Sequence, residues 1–134
     1  MAKPRAISMT VTLNAKPVDV FDALTDSKQI LVWSGQRGRV ERKIGGKFEM
    51  FDGWVKGSVL AYQQGKALSY TWLPDDWDAA TKPSIVRYSF VRTKSGTKIV
   101  LHHSGFPDEQ ARKEHHGGWT EHVFEPLKGF FKSR

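Results

Sequence analysis

The sequence contains no cysteine. That absence removes disulfides, thiolate nucleophiles and cysteine-ligated zinc together. Long hydrophobic runs are missing too: nothing approaches the ~20 apolar residues that a membrane-crossing helix needs. From Met1 to Met9 the chain carries charge without an apolar segment, so no leader is expected and the cytoplasm is the expected compartment. Internal repeats, low-complexity tracts, a Gly-rich phosphate loop, paired carboxylates and a Ser-His-Asp pattern are also absent. Hydrolysis and phosphoryl transfer therefore have no motif behind them. Acidic residues are scarce, 14 against 21 Lys and Arg, which leaves a formal net charge of +7. Such an excess favours anionic partners. Nucleic acid is nevertheless disfavoured, because the basic residues do not interleave with exposed aromatics as on a single-strand platform. The local concentration is Arg37, Arg39, Arg42, Lys43 and Lys47 on one predicted hairpin, a surface suited to an acidic protein partner.

What the chain has in quantity is ring surface: five Trp, eight Phe and three Tyr in 134 residues. Rings dominate the energetics of cores and pockets. A chain of this length buries about two-thirds of its extended surface on folding, so residues 1–134 are expected to form one domain without staples.

Ile7 to Leu13 reads as a first strand, and Asn14 with the following Ala-Lys-Pro breaks it. Pro17 suits a first helical turn, with Val20, Phe21 and Leu24 as its apolar stripe. Asp26 and Ser27 cap a second short helix carrying Ile30, Leu31 and Trp33, stopped by Gly35. From Gly38 the period changes to two. Val40, Arg42 and Ile44 alternate with Arg39, Glu41 and Lys43, and Gly45-Gly46 makes the turn. Phe48 and Met50 then share a face, and Asp52-Gly53 signals the next hairpin. Val55, Gly57 and Val59 form the inner face of a strand that Gly57 bends or brings close to its neighbour. Leu68, Tyr70 and Trp72 project together from the next strand. A polar loop from Pro74 to Pro83 follows, with Trp77 dipping toward the interior from a rim of Asp75, Asp76 and Asp78. Ile85 to Val91 and Thr97 to Ser104 make a final hairpin. Asp108 is an N-cap, and Ala111, His115, Trp119, Val123 and Leu127 recur at four-residue steps along a last helix. Pro126 should kink it near His122.

Short hairpins force antiparallel pairing, so the fold class is α+β: about seven strands curved around a long C-terminal helix, with two short helices after the first strand. One helix covers about 10 Å of width, while each strand adds roughly 5 Å to the sheet. The uncovered part of the concave face must be filled by large side chains or by a guest. Phe48, Met50, Tyr70, Trp72, Tyr88, Phe90, Leu101 and Trp119 are the side chains placed to line that gap, joined by His103 from the face of Leu101 and by His122 and Val123 from the helix.

The ordered set Pro17, Val20-Phe21-x-x-Leu24-Thr25-Asp26, Trp33, Gly45-Gly46-x-Phe48, Gly57-x-Val59, Trp72, Thr97 before Ile99 and Leu101, Gly105-Phe106 and Gly118-Trp119 resembles the START-like (SRPBCC, helix-grip) superfamily. Within it the pattern is similar to the branch of activators of the heat-shock protein ATPase, over Ile7 to Phe131. The resemblance implies a helix-grip domain with a hydrophobic cavity, and it adds Trp33 to the pocket positions Phe48, Trp72, Leu101 and Trp119. It implies no fixed catalytic residue, no cofactor and no metal site. Three functions follow from it. The first is binding of a small hydrophobic ligand, lipid-like or anionic, between sheet and helix. The second is a co-chaperone-like protein interaction module. The third is a cyclase or dehydratase acting on a polyketide-like substrate, with His103 or His122 as general base beside a Tyr hydroxyl. A three-histidine metal site from His103, His115 and His122 is conceivable by chemistry, though local ligand spacing is lacking.

Overall fold

The computed structural model describes residues 4–132, so the expected unit of 1–134 and the stretch read from Met1 lie partly outside the described residues. The strands are β1 (Ile7–Leu13), β2 (Arg39–Val40), β3 (Lys47–Met50), β4 (Val55–Gln63), β5 (Ala67–Pro74), β6 (Ser84–Arg92) and β7 (Thr97–Ser104). They form one antiparallel sheet in the order β1-β7-β6-β5-β4-β3-β2. Helices α1 (Pro17–Thr25) and α2 (Ser27–Ser34) connect β1 to β2, and a long helical segment closes the chain. This is the helix-grip arrangement, α+β with seven strands.

Local chemistry sets the boundaries. Pro17 opens α1, and the Asp26 carboxylate accepts from Lys28 N at the start of α2. Gly35 ends α2 in the left-handed conformation, with φ of 74°. In β5 and β7 alternate residues are buried: Leu68, Tyr70 and Trp72 face inward, as do Ile99, Leu101 and His103. Gly57 is required by a close approach, since a Cβ there would lie 1.9 Å from the Thr71 carbonyl oxygen.

One predicted strand is largely absent. The alternation through Arg42 and Ile44 does not continue as a ladder; β2 stops at Val40, and Ile44 is exposed. The Arg42 side chain instead reaches α1, donating to Thr25 Oγ1 at 3.0 Å and Asp22 Oδ1 at 3.1 Å. Glu41 turns back to accept from Lys47 N. Glu41 N still donates to the Lys47 carbonyl at 2.9 Å, and beyond it side-chain bonds replace the ladder that a strand would have offered.

The last helix is three pieces: α3 (Glu109–Gly118), a π-helical segment (Trp119–Phe124) and α4 (Glu125–Lys132). Asp108 caps α3 through Ala111 N at 2.8 Å. Pro126 has no N–H to give to the His122 carbonyl, and the disturbance expected there takes the form of a π turn, with Glu125 N bonded to Thr120 O. A π turn spends an extra residue. The buried stripe therefore runs Ala111, Trp119, Val123, then Phe124, Leu127 and Phe131, with Phe130 only partly buried.

Candidate functional site: an aromatic groove at the end of the sheet

The concave face is closed beneath the helix by interlocked rings. Phe48 stacks on Tyr70 with centroids 3.7 Å apart, Tyr70 meets Tyr88 at 5.9 Å, and Trp72 meets Trp119 at 5.2 Å. Their polar atoms satisfy one another. The Tyr70 and Tyr88 hydroxyls bond at 2.9 Å, and burial pushes both phenols above the usual tyrosine range. Met50 and Leu101 are buried in the same layer; Phe90 packs edge-on against Phe21 of α1. Trp33 donates its indole N–H to the Ala23 carbonyl at 2.7 Å, which ties α2 to α1. These seven predicted lining residues (Trp33, Phe48, Met50, Tyr70, Tyr88, Phe90 and Leu101) sit in packed interior.

His103 belongs there too. It is fully buried, and Trp119 Nε1 donates to its Nδ1 at 3.0 Å. Ser84 Oγ donates to the Trp72 carbonyl, so at 2.9 Å it accepts from His103 Nε2, which must carry the proton. Burial, aided by His115 and His102, lowers the His103 pKa to about 2. The ring is a neutral structural bridge with both nitrogens engaged. Neither a general base nor a metal ligand can be made of it without breaking that bridge, and no group of three metal-ligating side chains is present among the described residues.

Room opens where the ring cluster ends. A groove of about 530 Å³ lies between α3 with its π turn on one side and the β3–β4 turn and β5–β6 loop on the other. Trp72 and Trp119 form its floor, and Val123 and His122 extend it; these are the four predicted positions that reach it. The remaining walls come from residues that strand and helix patterns did not select. Phe51 and Asp52 take left-handed φ values of 55° and 58°, and Gly53 follows at 88°, so the turn swings Phe51 and Trp54 to the groove. Trp77 enters from the β5–β6 loop, as the sequence suggested, and meets His115 at 5.4 Å. Gly117 and Gly118 keep the helical wall low, and a Cβ on Gly117 would meet nothing within 4 Å. The signal for Trp54 and Trp77 was present in the sequence: both are large rings inside turn-rich segments.

His115 is the polar centre. Its Nδ1 donates to the Ala111 carbonyl at 2.9 Å, and its Nε2 accepts from Trp72 Nε1 at 3.0 Å, which fixes the neutral tautomer. Burial lowers its pKa, while the Ala111 carbonyl and the carboxylates of Asp76 and Glu114 pull the other way. Trp54 stacks near it at 6.1 Å. Imidazole, indoles and glycines together make an apolar-walled site with a few fixed polar groups.

The basic hairpin behaves differently from its sequence outline. Arg37 lies 3.9 Å from Asp52, Arg39 pairs with Glu41 at 2.8 Å, and Arg42 with Asp22 at 3.1 Å. Three of its five cations thus already face carboxylates.

Comparison with known proteins agrees with the geometry. The activator of 90 kDa heat shock protein ATPase homolog of Dictyostelium discoideum is 20% identical over 127 residues, 95% of this chain and 33% of that protein. The activator of 90 kDa heat shock protein ATPase homolog 1 of Homo sapiens is 22% identical over 125 residues, 93% of this chain and 36% of its own length. The chain spans about a third of the length of these curated relatives. Among solved structures, an HSP90 activator from Plasmodium falciparum aligns with a TM-score of 0.86 at 24% identity, over 95% of this chain and 96% of that one. CalU16 from Micromonospora echinospora aligns with a TM-score of 0.78 at 24% identity, over 95% and 75%. These two likenesses speak for the fold. Residues 14–132 match the family described as Activator of Hsp90 ATPase homolog 1-like protein, and the chain belongs to that family.

Proposed function

We propose that this protein, as one unit acting in the cytoplasm, binds a small hydrophobic molecule in the groove between α3 and the end of the sheet. The observation that carries this reading is the groove itself: about 530 Å³ walled by Trp54, Trp72, Trp77 and Trp119. Small-molecule sites occupy roughly 300–1,000 Å³ and combine apolar walls with few polar groups. Trp54 is 38% exposed, so part of its indole is open to a guest in the groove. The ring cluster beneath the helix is rigid support rather than a container, because its own side chains fill it.

Gly117→Phe tests the reading. The new ring enters open groove space on a helix that glycine otherwise weakens, so the fold should persist. Native mass spectrometry for a retained small molecule and tryptophan fluorescence titration with apolar compounds should show binding in the parent protein and its loss in Gly117→Phe. Binding that survives the substitution in a folded protein would refute the groove as the site.

A co-chaperone-like role is the second reading, and family membership favours it: relatives sharing this domain carry the name of activators of the 90 kDa heat shock protein ATPase. Capture of such an ATPase by a Gly117→Phe protein would support docking through another surface. The cyclase reading has less behind it, since His103 is sealed and the two tyrosine hydroxyls are bonded to each other.

A further inference from the structure

The charge of the groove runs against that of the molecule. The chain carries a formal +7, yet the lining contributes Asp76, Glu114 and Glu121 against the single ammonium of Lys113. Asp76 comes from the β5–β6 loop and Glu114 from α3, so two independent elements bring carboxylates to one opening. Some surface acids are neutralised by cations, as Glu109 is by Arg112, Glu125 by Lys128 and Asp22 by Arg42. Among the described residues no ion pair engages Asp76 or Glu114, and Glu121 has only His122 at 3.7 Å. Their field nevertheless reaches the groove wall, since both Asp76 and Glu114 act on His115.

The rings around His115 supply the other part of the site. The His115 ring stacks near Trp54 at 6.1 Å and 26° and meets Trp77 tilted at 5.4 Å and 57°, which holds both indoles at the groove. Indole faces attract positive charge through the ring quadrupole. Apolar walls focus the field of nearby carboxylates on whatever occupies the space between them. An anion placed there would meet three carboxylates against one ammonium.

Resting on the groove as the binding site, we propose that its ligand is a small organic cation: an apolar or aromatic body against Trp54, Trp72 and Trp77, with an ammonium or amidinium group directed at Asp76 and Glu114. The excess positive charge of the protein then lies away from the site and does not select the ligand.

Three probes of one size and differing charge test this: benzyltrimethylammonium, benzyl alcohol and benzoate, titrated by NMR or tryptophan fluorescence. The cation should bind about tenfold tighter than the alcohol, with benzoate the weakest. The double variant Asp76→Asn with Glu114→Gln changes two exposed side chains, so the fold should persist, and it should reduce that preference to about twofold, the indole share alone. If the probes bind, compete with one another and are lost in Gly117→Phe, but benzoate is equal or tightest, the cation assignment is overturned while the groove stands. If no probe perturbs the groove tryptophans in the parent protein, both the assignment and the groove reading fall.

Discussion

Two aromatic regions lie side by side in this molecule, and Trp72 and Trp119 belong to both. Beneath the helix, Phe48, Tyr70, Tyr88, Leu101 and His103 come from strand positions whose alternation aims them at each other, and every polar atom among them has a partner. At the end of the sheet, Phe51, Trp54 and Trp77 come from turns and meet a helix wall that glycines hold back. The same residue types thus give a sealed interior in one place and an open site in the other. What differs is the backbone that delivers them: regular strands impose a spacing that rings can fill, whereas turns leave them splayed.

The contrast should show most strongly in stability. Phe48→Ala removes a stacked, fully buried ring and should cost about 3–5 kcal/mol in urea unfolding. Trp54→Ala, on a half-exposed ring, should cost less than about 1.5 kcal/mol yet eliminate groove binding. A Trp54→Ala cost as large as that of Phe48→Ala would erase the distinction between the regions.

Acid should expose the buried bridge next. His103 has a folded-state pKa near 2, below the ordinary histidine value of about 6.5. Between those values the unfolded chain takes up a proton that the folded chain refuses, so stability is whole above about pH 6.5 and falls as pH drops. The slope from this residue approaches ~1.4 kcal/mol per pH unit, and His115, also lowered, adds to it. Urea melts at pH 7, 6 and 5 should show that slope, and His103→Gln should flatten it; an unchanged slope would mean the ring is not buried neutral.

Comparable in size is Tyr88→Phe, which strands the Tyr70 hydroxyl and should cost about 1–3 kcal/mol without touching groove binding. Gly117→Phe should be close to neutral or stabilising by up to about 0.5 kcal/mol, because it replaces a helical glycine. Thermal melts rank both against the parent.

Much of this was legible in order along the chain. Period-two alternation marked Leu68-Tyr70-Trp72 and Ile99-Leu101-His103, while Pro17, Asp26, Gly35 and Asp108 marked the helix ends where they are found. The segment after Val40 misled because alternation of Arg42 and Ile44 with charges mimics a strand, while the bonds of Arg42 to Thr25 and Asp22 cross 17 and 20 residues. Phe124 was out of step, buried directly after Val123, because the π turn adds a residue to the helical period. Of the predicted lining set, Trp72, Trp119, His122 and Val123 reach the groove; the other eight do not, since a pattern that says which way a side chain faces is silent on whether a neighbour fills the space in front of it.

The sequence by itself determined most of the strands, most helix ends and the antiparallel class, since these depend on neighbours a few residues away. Only the tertiary structure decided which rings lock together and which stay open. That outcome rests on the left-handed turn at Phe51-Asp52-Gly53, the reach of the β5–β6 loop and the low wall at Gly117, three segments distant in the chain that meet at one groove only in the folded molecule.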